Sequence, residues 1–188
     1  MLERAAVRAG DTVLVIGGTG AVGSAASQLA RWMGAWVLAT TRRPETPAHL
    51  AGRVDTWIKL ESEPLPSAVL AATGGRGVDV VLNTVGGETF EPGLRCAARG
   101  GRVACIASNP QQVGFNLVDF YHHELALFGI DSLKQESPGC GLILERIADG
   151  FARGALAVPM PKSLPLGEGV AAYERVEAGG GEKIVLAP

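Results

Sequence analysis

Short runs rich in valine, isoleucine and leucine alternate along the chain with longer stretches whose apolar residues recur at helical spacing. The short runs are nearly continuous in hydrophobicity, the pattern of strands covered on both faces. They predict strands at Thr12–Gly17, Trp36–Thr41, Thr56–Leu60, Val78–Thr84, Arg102–Ala107 and Leu125–Asp131. Between them the spacing predicts helices at Ala21–Met33, Pro47–Ala51, Leu65–Ala72, Thr89–Ala98 and Leu117–His123. Gly34, Gly74 with Gly75, and Gly100 with Gly101 fall where a helix must stop and turn back into a strand. Six such strands joined by right-handed crossovers predict an α/β fold, a doubly wound parallel sheet with helices on both faces.

The last third reads differently. Ser137-Pro138 makes an N-cap and first-turn pair, opening a helix to about Phe151 with Leu142, Ile143, Ile147 and Phe151 expected on its buried side. A proline-rich passage, VPMPKSLPLGEG, follows, then a short helix near Val170 to Glu177 and a terminal strand KIVLAP. With 188 residues the chain is expected to form one domain, residues 1–188. A net charge of −2, with its basic residues scattered, gives no case for a nucleic-acid partner. No apolar run is long enough to span a bilayer and the N-terminus lacks a signal-peptide pattern, so a soluble cytoplasmic protein is expected. Cys96, Cys105 and Cys140 show no CxxC spacing and read as free thiols rather than a disulfide framework or a zinc knot.

One loop carries chemistry. Gly18-Thr19-Gly20-Ala21-Val22-Gly23 fits G-x-G-x-x-G directly after a predicted strand and at the start of a predicted helix, the dinucleotide-binding arrangement of a Rossmann-type sheet. Gly18 can make the tight turn, Gly20 can let a pyrophosphate approach the backbone, and Gly23 can let the helix lie near the sheet. Free amides at the helix start then bind phosphate. A Walker A loop is excluded, because Gly23 is followed by Ser24-Ala25 where lysine and serine or threonine are required. The second strand ends Thr40-Thr41-Arg42-Arg43, and the nearest acid, Glu45, lies beyond Pro44. A site for NAD usually places a carboxylate there to bind the ribose hydroxyls, whereas arginines pair with a 2'-phosphate. The expected cofactor is therefore NADP, as NADPH.

The segments GDTVLVIGGTGAVGSAASQLAR, GAWVLATTRR, GVDVVLNTVGG, GGRVACIA, FNLVDFYHHELALFGIDSL and LPLGEGVAAYERVEAGGGEKIVLAP, in this order, resemble the cofactor-binding half of the medium-chain dehydrogenase/reductases, the superfamily of the zinc-type alcohol dehydrogenases. Within it they resemble the quinone oxidoreductase and enoyl reductase branch. The resemblance places Asn83, Thr84, Val85 and Gly86 along the cofactor riboses, and Ile106, Ala107 and Ser108 past the nicotinamide. It places Gly129, Ile130 and Asp131 at the carboxamide and Lys183 close to the cofactor. For Asn83 and Ser108, hydrogen bonding within a local turn is an equal alternative. It further implies a homodimer through the sixth strand, and an N-terminal GroES-like catalytic domain that this sequence does not contain.

No catalytic set and no metal site emerge from the sequence itself. His122 and His123 are adjacent rather than four apart, His49 is isolated, Cys105 is mid-strand, and Ser24 lacks a G-x-S-x-G context. Tyr121 and Tyr173 read as packing aromatics. The reading is the NADP(H)-binding domain of an oxidoreductase that passes hydride to a quinone or an α,β-unsaturated substrate, incomplete without its catalytic domain. One alternative is a stand-alone NADP(H)-binding module without turnover. A polyketide-type ketoreductase is another, opposed because Tyr121 and Tyr173 are followed four positions later by Leu125 and Glu177 rather than lysine.

Overall fold

A computed structural model describes residues 1–61, 63–107, 109–131, 137–179 and 183–188. It divides into two units, Met1–Leu156 and Ala157–Pro188. The first holds a six-stranded sheet of β1 Thr12–Ile16, β2 Trp36–Thr41, β3 Thr56–Lys59, β4 Val78–Asn83, β5 Ala97–Cys105 and β6 Ala126–Gly129. Every adjacent pair is parallel, and the spatial order is β3-β2-β1-β4-β5-β6. That is the doubly wound order, with the chain reversing direction of travel across the sheet between β1 and β4.

The near-continuous apolar runs follow from burial on both sides. Val13 and Val15 share one face with Val37, Ala39, Val80, Leu82 and Ala104, against Ala26 and Ala30 of α1 (Ala21–Trp32). Leu14 and Ile16 share the other with Leu38, Val81 and Val103. That face is covered by Leu65, Ala68 and Val69 of α2 (Leu65–Ala72), and by Phe90 and Leu94 of α3 (Phe90–Arg95). Each fully buried valine or leucine contributes about 1.5–3 kcal/mol relative to exposure. The sheet centre is therefore the main source of stability and a rigid base for the loops at its end. Helix α4, Leu117–His122, begins at Asn116, whose side chain accepts from the amides of Val118 and Asp119 at 3.0 and 3.3 Å.

Several boundaries differ from the sequence expectation. Pro47–Ala51 is a single 3-10 turn over Ala48–Leu50, too short and too flanked by proline to form a helix. The predicted helix Thr89–Ala98 keeps only Phe90–Arg95, because Ala97 already pairs with Val78 and starts β5 ahead of Gly100 and Gly101. Helix α5, Ser137–Ala152, forms as expected, but Leu142, Ile143 and Phe151 are exposed rather than buried. Gly150 in its last turn is buried, close to Leu156 and Trp32. In the second unit the proline-rich passage contains β7, Lys162–Pro165, which pairs in parallel with β8, Ile184–Ala187, across α6, Gly169–Glu177. Pro165 ends β7, a position where its missing amide costs no ladder bond inside the strand. Among the described residues, no helix is long and apolar enough to cross a membrane.

Candidate functional site

The loops that leave the carboxyl ends of the strands meet where β1 and β4 lie side by side, the crevice in which open α/β sheets bind ligands. Three of them are tied directly to one another. The Gly17 amide donates to Thr40 Oγ1 at 2.9 Å, and the Gly18 amide to the Thr40 carbonyl at 3.1 Å, so the glycine loop is fixed to the end of β2. Thr84 Oγ1 donates to the Ile16 carbonyl at 2.7 Å, fixing the loop after β4 to the end of β1.

Within the glycine loop the roles differ from the expected ones at one position. The left-handed turn is made by Gly17, at φ +85°, and not by Gly18. Gly18 is required for a different reason, since a Cβ there would lie 2.7 Å from Ala39 Cβ. Gly23 behaves as expected: a Cβ there would sit 2.1 Å from the Gly17 carbonyl oxygen, so α1 can approach the loop only through glycine. The helix starts at Gly20 with no side-chain cap and no acidic residue in its first turn. The amides of Ala21, Val22 and Gly23 have no hydrogen-bond partner among the described residues, and the Ser24 amide is the first to enter the helix ladder, donating to Gly20 at 2.8 Å. Open donors at the positive end of a helix dipole, with no acidic residue in that first turn, favour an anion.

Thr40 and Thr41 are buried, and their hydroxyls are used locally: Thr40 receives the Gly17 amide and Thr41 Oγ1 the Arg43 amide at 2.9 Å. Arg42 and Arg43 are exposed, and neither guanidinium has a partner among the described residues. His49, isolated along the chain, is not isolated in space. Its Nε2 lies 2.8 Å from Ser24 Oγ, 25 residues away in the first turn of α1, a pairing no local motif announces. Burial, and then the Arg53 charge, hold the His49 pKa below the usual imidazole value. Arg53 itself donates to the carbonyls of Gly154 and Ala155, at 2.8 and 3.1 Å, and to that of His49 at 3.3 Å.

Asn83 is almost fully buried and organises a turn. Its Oδ1 accepts from the amides of Val85 and Gly86 at 3.0 and 2.8 Å, while its Nδ2 donates to Thr89. Thr84 and Val85 are thereby displayed at the crevice, with Val85 exposed, while Gly86 is buried behind them. Ile106 and Ala107 leave the end of β5, with the Ile106 amide donating to the Asn83 carbonyl. Gly129, Ile130 and Asp131 lie at the end of β6, with the Ile130 amide donating to the Cys105 carbonyl at 2.9 Å. Ser108 falls outside the described residues, and Lys183 lies in the second unit, just before β8. Burial pushes the Cys105 thiol up to about 11 and the Cys96 thiol up to about 12, so neither is ionised at neutral pH. Among the described residues no group of three or more histidine, cysteine or acidic side chains could hold a metal ion.

The model of the zinc-binding dehydrogenase family matches residues 21–142, more than half of the chain. The chain is 29% identical over 167 residues to the highly reducing polyketide synthase ALT1 of Alternaria alternata, covering 86% of this chain and 6% of that protein. Among solved structures it is similar to alcohol dehydrogenase TADH from Thermus sp. ATN1, with a TM-score of 0.85 and 29% identity over 100% of this chain and 54% of that one. The CurK enoyl reductase shares the fold, with a TM-score of 0.78 and 23% identity over 100% of this chain and 58% of that one. The chain thus spans a few per cent of the curated relatives it matches and about half the length of the solved chains.

Proposed function

The chain belongs to the zinc-binding dehydrogenase family, as part of its nicotinamide-cofactor-binding half, and from that premise we propose that it is the NADP(H)-binding domain of an oxidoreductase. The reaction is hydride transfer to an activated carbon–carbon double bond of an α,β-unsaturated or enoyl substrate, or to a quinone. One observation carries the cofactor reading: a glycine loop with three open amides at the β1/β4 crevice is tied to a β2 end that carries Arg42 and Arg43 and no carboxylate. The amides of Ala21, Val22 and Gly23 hold the pyrophosphate, the arginines neutralise a 2'-phosphate, and the backbone of residues 84–86, 106–107 and 129–131 lines the riboses and the nicotinamide end. When bound, the reduced nicotinamide supplies the hydride, and the chain's part is to orient it and keep water away.

The substrate class is supported by the polyketide synthase relatives and by the fold shared with an enoyl reductase. The family's zinc finds no fit among the described residues, and no step is drawn through a metal. Among the described residues the crevice is largely main chain, with the Thr40 and Thr84 hydroxyls committed to neighbouring backbone, which supports the need for residues from a further catalytic domain. Among the described residues β6 is the last strand of the sheet, with Leu127 exposed, which supports a homodimer formed by pairing of that edge. The test is fluorescence titration with NADPH and NADH on the chain and on its Arg42→Ala/Arg43→Ala variant. NADPH is expected to bind the more tightly and to lose that advantage in the variant. Equal binding of both cofactors by the unmutated chain, or a variant that keeps its preference, refutes the reading.

A further inference from the structure

The connection between β2 and β3 carries Arg42 and Arg43 and reaches α1 through two side-chain pairs, Asp55 with Arg31 at its β3 end and His49 with Ser24 nearer the arginines. Ser24 is also the residue whose amide closes the first helical turn behind the glycine loop. The Ser24–His49 pair therefore joins the segment facing the adenosine end of the crevice to the segment facing the phosphates. We propose that the Ser24–His49 hydrogen bond is a latch that holds the arginine-bearing connection in its binding position, and that it thereby sets selectivity for a 2'-phosphorylated dinucleotide.

The geometry supports this in three ways. The bond is short, 2.8 Å, and half-shielded, with Ser24 buried, so water competes poorly for either partner. It spans 25 residues and two elements, unlike the Arg43–Thr41 and Arg53–His49 bonds, which are internal to the end of β2 and its connection. The rest of the connection is anchored elsewhere, by buried Leu50 and by Arg53 on Gly154 and Ala155, so loss of the latch frees the arginine segment without unfolding it. An ordered arginine segment spends less entropy on closing around a phosphate. His49 and Ser24 are thus positioning residues, acting through Arg42 and Arg43. The inference rests on the reading that those two arginines recognise the 2'-phosphate.

The test is the ratio of NADH to NADPH dissociation constants, measured by nicotinamide fluorescence on the full chain. The proteins compared are the unmutated chain, Ser24→Ala, His49→Ala, the double variant, and His49→Gln. Each alanine variant is expected to weaken NADPH about three- to tenfold and to leave NADH within about twofold. The double variant should be no worse than either single one, and glutamine at 49, which can still bond Ser24, should recover most of the loss. Equal weakening of both cofactors, an additive double variant, or an unchanged ratio overturns the latch while leaving the arginine reading intact. An unmutated chain that does not prefer NADPH overturns both.

Discussion

Replacing Gly23 with alanine tests the central claim about the glycine loop, that it works through close main-chain approach. The added Cβ would lie 2.1 Å from the Gly17 oxygen, 2.7 Å from the Gly17 carbon and 3.0 Å from Gly18 Cα. All three neighbours are backbone, so no rotamer change relieves the clash, and either α1 or the loop must shift by about 1 Å to restore ordinary contact. If α1 lifts, Ala26 and Ala30 lose packing against the sheet; if the loop moves, the Gly17 and Gly18 bonds to Thr40 are lost. Overpacking of this kind costs about 1–3 kcal/mol, which in a chain of this size lowers the melting temperature by roughly 3–10 °C. The same shift misaligns the open amides of Ala21 and Val22, and nucleotide affinity is expected to fall by at least about tenfold. Gly20→Ala is the internal comparison for stability, because its Cβ would stand 3.3 Å from the Gly17 oxygen and needs only a few tenths of an ångström. Thermal melting of the two variants, with NADPH titration of Gly23→Ala, gives the answer. A Gly23→Ala protein that melts and binds like the unmutated chain refutes the close-approach argument outright.

Three further outcomes follow from the same structure. Gly141→Ala in α5, where an added Cβ meets nothing within 4 Å, should stabilise the chain by about 0.5–1 kcal/mol in a denaturant melt; destabilisation would mean that the helix face is packed. At pH 8, a thiol reagent should modify exposed Cys140 rapidly, and Cys96 and Cys105 only on unfolding, given their raised pKa values; two fast thiols, or a fast thiol persisting in Cys140→Ser, would contradict that. Asp79 accepts from both Arg76 Nη atoms and from the Thr12 amide, and the Arg76 bond holds its pKa below the ordinary carboxylate value. Its stabilisation is therefore present above the unfolded carboxyl pKa and is lost as the pH falls through the lower folded value. Asp79→Asn should be less stable at neutral pH by about 1 kcal/mol and show a shallower acid limb in melts from pH 7 to pH 2, whereas an unchanged limb would remove the ion pair from the account.

The sheet was legible because burial on both faces leaves a one-dimensional trace. Val13 to Ile16 and Val78 to Leu82 are apolar at every position save half-buried Asp79, and only a covered parallel strand needs that. The glycine loop was legible because close approach leaves only glycine as a solution, although which glycine takes the left-handed turn depends on how Gly18 meets Ala39, and that is tertiary. What stayed hidden has the same cause. The Ser24–His49 pair joins residues that no period connects, and the exposed side of α5 carries leucine, isoleucine and phenylalanine at helical spacing like any buried one. Strand β7 was obscured by prolines at 159, 161 and 165, which flank or end it without interrupting its ladder.

Most of the crevice is made of main chain, held in place by side chains that face inward. Thr40, Thr84 and Asn83 each use their polar atoms on neighbouring backbone, and what remains open at the crevice is largely amide and glycine surface. Such a surface is complementary to a pyrophosphate and two riboses, which every nicotinamide dinucleotide has, and so it cannot by itself distinguish one from another. Discrimination has to come from groups that reach past the shared part, and on the proposed reading the exposed Arg42 and Arg43 are those groups at the adenosine end. They sit on a connection fixed by Thr41, Leu50, His49 and Arg53, so cofactor choice depends on how that connection is held as much as on the two charges. A change at 49 or 53, with both arginines intact, should therefore alter cofactor preference while the glycine loop continues to bind the phosphates common to both dinucleotides.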